Sequence, residues 1–221
     1  MNYYPVFINI ENRKSVVIGG GEVAERKIDR LLACKADVVV VARKLTSKLE
    51  SLVTNGTIRH IQDDYKDTHI EGAFIVIGAT DNEDVNTEIY QDTREKGMLV
   101  NIVDDPEKCD FIVPSVMQQG DLSIAISTGG KSPALARTIR EDLEIQYGYE
   151  YKMLLGIMGD LRKKVTAQGR ASDDNRRLFE SVLRSGILDH IREKNWDEIR
   201  KIVYDLTGEK INSEFLEDSE P

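Results

Sequence analysis

The sequence predicts an α/β protein built on a doubly wound parallel sheet, followed by a β-hairpin segment and a small all-helical C-terminal domain. Three observations predict it. Apolar runs without alternation, at residues 37–42, 73–78 and 98–103, read as strands buried on both faces. Helical patterns separate these runs, and such alternation makes right-handed crossovers over a parallel sheet. From Tyr151 onward only helical periodicity remains.

Taken in order, residues 5–10 read as a short strand, and Asn12-Arg13-Lys14 turns the chain into a strand over residues 15–18. A helix runs from Glu22 to about Ala33, with Val23, Ile28, Leu31 and Leu32 on one face. After the strand at 37–42 come a short helix over 45–53, ended by Asn55-Gly56, and an edge strand over 57–61. The strand at 73–78 leads to a helix over 84–96 with Gly97 as its stop, then to the strand at 98–103. Residues 111–117 and 122–127 flank Gln119-Gly120-Asp121 as a hairpin outside the parallel order. Ser132 suits an N-cap and Pro133 the first position of a helix reaching about Tyr147.

Beyond it, three stripes read as core faces: Tyr151, Leu154, Leu155, Met158 and Val165; Leu178, Phe179, Val182 and Leu183; Trp196, Ile199, Val203 and Leu206. Residues 168–175 read as a polar loop, and the acidic tail from Asn212 as frayed. The expected domains are 1–113, 114–147 and 148–210, with a tail at 211–221.

The strand at 15–18 runs straight into Gly19-Gly20-Gly21-Glu22-Val23-Ala24. Between a strand and a helix, Gly19-x-Gly21-x-x-Ala24 is the dinucleotide-binding fingerprint of a Rossmann-type sheet. Gly19 permits the tight turn, Gly21 lets backbone approach a pyrophosphate, and Ala24 lets helix and strand pack closely. A helix N-terminus then offers free N–H groups to the anion.

Hydrophobic and charged fractions of 40% and 31% over 221 residues are those of a globular protein. The net charge of −9 argues against a nucleic-acid backbone as partner, while leaving a local basic patch free to hold a small anion. Cys34 and Cys109 form no CxxC pair, so neither zinc nor a disulfide framework is indicated. The N-terminus lacks a signal pattern and no apolar run is long enough to span a bilayer, so no membrane association and a cytoplasmic location are expected.

Ligands of such sheets sit beyond the carboxyl ends of the strands. That rule selects Gly19, Gly21, Glu22 and Val23, then Arg43 and Lys44, then Ala79, Thr80 and Asp81, then Asn101 through Asp105. Arg43 and Lys44 stand where an NAD enzyme usually carries an acid for the ribose hydroxyls. That departure leaves NADP open, since Arg43 could meet a 2′-phosphate, and a solvated pair at a strand end is an equal reading. Asp104, after a buried strand, is placed to take a proton beside a nicotinamide, with dry surroundings to tune it. Position alone does not separate that role from an ordinary Asp104-Asp105-Pro106 turn.

Ser127-Thr128-Gly129-Gly130-Lys131-Ser132 offers N–H groups, hydroxyls and a cation at a helix start, with Arg137 and Arg140 following. It resembles a Walker A loop with Ala125 for the first glycine, but Pro133 removes an N–H and no magnesium-binding strand end accompanies it. His60, His69 and His190 are scattered, so no metal site is expected.

Together and in order, Pro5-Val6-Phe7, the run from Val17 to Lys27, Ala79-Thr80-Asp81, Asn101-Ile102-Val103-Asp104, Phe111-Ile112-Val113-Pro114-Ser115 and the run from Ser127 to Arg137 resemble the precorrin-2 dehydrogenase family, the dehydrogenase/ferrochelatase module of siroheme synthases. The resemblance covers roughly residues 1–145 and implies the stand-alone form, without a methyltransferase domain. It implies oxidation of precorrin-2 to sirohydrochlorin with NAD as acceptor, in a homodimer whose hairpin region exchanges contacts between subunits. The family's catalytic aspartate falls on Asp104, its glycine loop on residues 19–23, and its adenosine-side contacts on Arg43 and Lys44. The polycarboxylate substrate then suits Asn101, Ser127, Thr128, Gly129, Gly130, Lys131 and Arg137. A serine phosphorylated in some relatives falls on Thr128. Some members also insert Fe²⁺ into sirohydrochlorin, which the residues leave open, and a non-catalytic NAD(H)-sensing module is the alternative reading.

Overall fold

A computed structural model describes residues 3–168 and 172–212. The chain divides into two compact units at Val113 and Pro114.

Unit 1 holds five parallel strands: β1 (Lys14–Ile18), β2 (Asp37–Val41), β3 (Arg59–Ile61), β4 (Ile75–Gly78) and β5 (Leu99–Ile102), in the order β3-β2-β1-β4-β5. The first strand made is therefore the central one, and the connections reverse direction on either side of it. Both faces are apolar, as parallel strands require. One face carries Val17, Val38, Val40, Ile75 and Ile77 under α1 (Glu22–Ala33) and α2 (Ser47–Thr54). The other carries Val16, Ile18, Val39, Val41, Val76 and Val100 under α3 (Glu83–Glu95) and Ile70.

Residues 5–10, expected as a strand, form none. Tyr4 and Phe7 are 86% and 75% exposed, and only Ile10 reaches the core. An apolar run becomes a strand only where a neighbouring edge supplies its hydrogen bonds, and both neighbours of β1 are already taken.

Unit 2 opens with the antiparallel hairpin β6 (Ser115–Gln119) and β7 (Leu122–Ile126), turning at Gly120 with φ 59°. Helix α4 (Pro133–Gln146) packs on β6, and Ser132 caps it by accepting from the Leu135 N–H at 3.2 Å. Among the described residues four helices follow: α5 (Tyr149–Ala167), α6 (Ser172–Arg184), α7 (Ile187–Arg192) and α8 (Trp196–Thr207). Their core is Met153, Leu154, Ile157, Leu161 and Val165 with Val182, Ile187, Ile191, Ile199 and Val203.

All three stripes depart in part from expectation. On α5 the buried face is centred on Ile157 and Leu161 rather than Tyr151 and Leu155, which are half-buried, and Leu183 and Leu206 are exposed. Residues 172–175, expected in a polar loop, are the first turn of α6, where Asp173 and Asp174 suit the positive end of the helix dipole. Residues 169–171 and the tail from 213 lie outside the described residues. Among the described residues, no helix is long and apolar enough to cross a membrane.

Candidate functional site

The site grows from the carboxyl edge of the unit 1 sheet. β1 and β4 pair through Ile18 and Gly78, so the chain leaves both strands side by side at the point where the connections reverse. Backbone bonds lock these exits: Gly19 N–H donates to the Val41 carbonyl at 2.9 Å, and Ala79 N–H to the Ile18 carbonyl at 2.8 Å. Val103 N–H donates to the Gly78 carbonyl, also at 2.9 Å.

Gly19 has φ 121°, and a β-carbon there would lie 2.2 Å from the Ala79 carbonyl oxygen. Only glycine meets both demands. Gly20, the residue between the two fingerprint glycines, is equally constrained: its β-carbon would lie 2.0 Å from the Lys44 carbonyl oxygen. Gly21 differs. It is the N-cap of α1, makes no side-chain cap, and a β-carbon there would meet nothing within 4 Å. An uncapped helix start facing open space over a glycine fits a pyrophosphate, so the residues present fit a dinucleotide. Ala24 is fully buried against the sheet. Glu25, in the same first turn, is offset by Thr46, whose hydroxyl donates to it at 2.7 Å, and by Lys48 at 3.5 Å.

The other strand ends complete the edge. Beyond β2, the Arg43 guanidinium pairs with Asp64, which lies past β3. A cavity of about 600 Å³ flanks this end, lined by Arg43, Lys44, Glu50, His60 and Gln62 among others, but by none of the loop glycines. Beyond β4, the Asn86 amide of α3 donates to the Thr80 carbonyl at 3.0 Å, and its buried Oδ1 has no partner. That oxygen sits 3.2 Å from where a β-carbon on Gly78 would be, so Gly78 makes room for the residue that holds the 79–81 turn.

Beyond β5 stands Asp104, in the left-handed region at φ 62°. The turn is held from within. The Cys109 thiol lies 3.2 Å from the carbonyl oxygens of both Ile102 and Asp105, bracketing Asp104, and shares its proton between them. Burial raises the Cys109 pKa above the usual thiol range. Lys27 of α1 is close enough to feel both Asp104 and Cys109; burial first, then Arg30, lowers its pKa.

Two expectations need correction here. Asp104 is exposed rather than in dry surroundings, because it follows the strand by two residues and caps an outward turn. Asn101, expected to touch substrate, is only 7% exposed. Its amide donates to the Phe111 carbonyl at 2.9 Å and to Cys109 Sγ at 3.4 Å, so it anchors the returning chain.

In unit 2, the residue 127–132 loop is organised by its own hydroxyls. Ser127 accepts from the Gly129 N–H and Thr128 from the Ser132 N–H, both at 3.1 Å. Gly129 and Gly130 have φ 60° and 80° with open space beside them, and Lys131 is exposed. Arg137 is paired with Glu141 at 2.8 Å, which reduces its excess positive charge.

Sequence reasoning missed Gly20, Lys27, Asp64, Asn86 and Cys109. Gly20 lay inside the quoted motif. Lys27 lay inside the run quoted for the resemblance, one helical turn past the motif, and Asp64, Asn86 and Cys109 are joined to the site by strand pairing, a helix start and a turn that no local pattern announces.

Comparison with known proteins bears on both units. Residues 6–115 match the family model described as "Putative NAD(P)-binding", and residues 119–146 the model described as "Sirohaem biosynthesis protein central". Siroheme synthase 1 of Aeromonas salmonicida is 38% identical over 183 residues, covering 83% of this chain and 39% of that protein. The siroheme synthase of Actinobacillus succinogenes is 35% identical over 201 residues, covering 91% and 42%. The chain thus spans about two fifths of the length of these curated relatives. The solved structure of SirC, precorrin-2 dehydrogenase, superposes with a TM-score of 0.78 at 22% identity, covering 94% of this chain and all of that one. This likeness shows a shared fold. The chain carries an NAD(P)-binding match followed by a siroheme-biosynthesis central match, and it is similar to siroheme synthases over about two fifths of their length.

Proposed function

We propose that the chain oxidises precorrin-2 to sirohydrochlorin with NAD as acceptor, as a homodimer in the cytoplasm. The observation that carries this reading is the braced turn that holds Asp104 in a left-handed conformation on the same sheet edge as the open Gly21 helix start. A backbone outlier over-determined by its neighbours is a hallmark of functional positions.

NAD supplies, when bound, the hydride acceptor. The oxidation removes two hydrogens from the substrate: one leaves as hydride, and the other as a proton that needs a base. Asp104 is assigned that proton, and its exposed carboxylate is open to a large ligand. Gly21, Glu22 and Val23 would offer backbone to the pyrophosphate, Gly19 shapes the turn that presents them, and Ala79, Thr80 and Asp81 follow the neighbouring strand end. Arg43 and Lys44 serve the adenosine end. Ser127, Thr128, Gly129, Gly130, Lys131 and Arg137 are assigned to the substrate's carboxylates, an interaction that suits a local cation in an acidic chain.

The homodimer is supported by Leu135 and Ile145 of α4, which are 52% and 85% exposed. Free Cys34 and Cys109 suit a reducing compartment.

The test is anaerobic absorbance of the protein with precorrin-2, with and without NAD. A sirohydrochlorin spectrum only with NAD is expected, and its loss in Asp104→Ala with NAD still bound. No spectral change from wild type that binds NAD would move the assignment to an NAD(H)-sensing module. Fe²⁺ added afterwards reads metal insertion, in which the ion is a substrate.

A further inference from the structure

The end of β2 lacks the acid that NAD-binding sheets of this kind use for the ribose 2′-hydroxyl, and Arg43 and Lys44 stand there instead. Strand pairing brings an acid to the same place. β2 and β3 align through Val41 and Ile61, and the Ala42 N–H donates to the Ile61 carbonyl at 3.1 Å. The chain leaving β3 therefore runs beside the chain leaving β2. Gln62 Nε2 reaches the Arg43 carbonyl at 3.4 Å, and the Asp64 carboxylate accepts from the Arg43 guanidinium. Asp64 is itself placed by its N–H, which donates to the Asp63 carboxylate at 2.8 Å, while Asp63 pairs with Lys66.

We propose that Asp64 supplies from β3 the acid missing from β2, and so selects NAD over NADP. This rests on the nucleotide site assigned above. A guanidinium is the group that receives a 2′-phosphate, because its fork of donors matches phosphate oxygens. Here a carboxylate already occupies that fork, and its charge repels a second anion arriving at the same spot. An uncharged 2′-hydroxyl meets no such repulsion. Side-chain exposures of 74% for Arg43 and 60% for Asp64 put the pair in solvent, so the selection is moderate and weakens with salt.

The test is calorimetric titration of the full chain with NAD and NADP at low ionic strength. Wild type is expected to bind NAD more tightly. Asp64→Asn should lower the ratio of the NADP to NAD dissociation constants by about threefold to fivefold, the scale of an exposed ion pair. Adding Arg43→Ala to that variant should abolish the gain. A wild type that prefers NADP, an unchanged ratio in Asp64→Asn, or a gain that survives without Arg43 overturns the inference while leaving the nucleotide site standing. Failure of wild type to bind either dinucleotide overturns both.

Discussion

Gly19 and Ala79 approach so closely that a β-carbon on the first would lie 2.2 Å from the carbonyl oxygen of the second. The contact joins the exits of two neighbouring strands and leaves the loop a single conformation. Gly19→Ala adds a steric clash to a φ of 121° and must displace the 79–81 turn. It should cost about 1–3 kcal/mol or more in denaturant unfolding and remove NAD binding. Gly21→Ala has room for its methyl within the protein, so its unfolding midpoint should change little while NAD affinity falls. Paired unfolding and calorimetric titrations separate the two.

Cys109 braces the turn on either side of Asp104. Cys109→Ala should therefore lower kcat while leaving the NAD dissociation constant in place, and Cys109→Ser, which retains a donor, should recover part of the loss. The thiol's raised pKa keeps it protonated at neutral pH, so thiolate chemistry grows only as pH rises. Iodoacetamide should label exposed Cys34 first and Cys109 slowly, the second rate climbing through the alkaline range. Mass spectrometry of timed aliquots reads both.

In unit 2 the Glu150 carboxylate is 7% exposed and accepts from Arg192 Nε at 3.0 Å and Nη2 at 2.9 Å. Removing the arginine strands a buried charge, which is worse than never having had the pair. Arg192→Ala should lower the unfolding midpoint far more than Arg200→Ala, whose partner Asp197 is 97% exposed. Glu150→Gln in the Arg192→Ala background should restore part of the loss, because the stranded group is then neutral.

The helical core offers a size-matched comparison. Leu161 is fully buried and Leu183 is 51% exposed. Leu161→Ala should cost about 2–5 kcal/mol through lost contacts and a residual cavity, and Leu183→Ala about 0.5 kcal/mol or less. Urea unfolding of both variants checks it.

The sheet was readable because β1, β2 and β4 each centre on consecutive apolar residues, Val16 to Ile18, Val38 to Val41 and Ile75 to Ile77, and β5 breaks its apolar run only at Asn101. The run at residues 5–10 has the same composition and no strand, since strandedness depends on an available edge and not on the run itself. Helix α5 shows a different difficulty. With Met153, Leu154, Leu155, Ile157, Met158 and Leu161 all apolar, several helical phases fit the sequence, and packing against α7 selects one. The first turn of α6 looked like a loop because an exposed helix start is built from the same polar residues. At the site, the glycine motif was legible because backbone geometry restricts residue type there. Asp64, Asn86 and Cys109 were not, because each acts on a residue far along the chain or on a carbonyl, and carbonyls leave no mark in a sequence.

The central position of β1 also sets an order of assembly. During synthesis β2 is the first possible neighbour of β1, then β3 adds outside β2, and β4 and β5 extend the opposite side. The glycine loop is made early, yet its surface against Ala79 exists only once β4 has docked. A nascent chain that has emerged as far as β3 therefore carries the whole fingerprint without the wall that shapes it, and competence to hold a dinucleotide arrives as a late event in the life of an early segment.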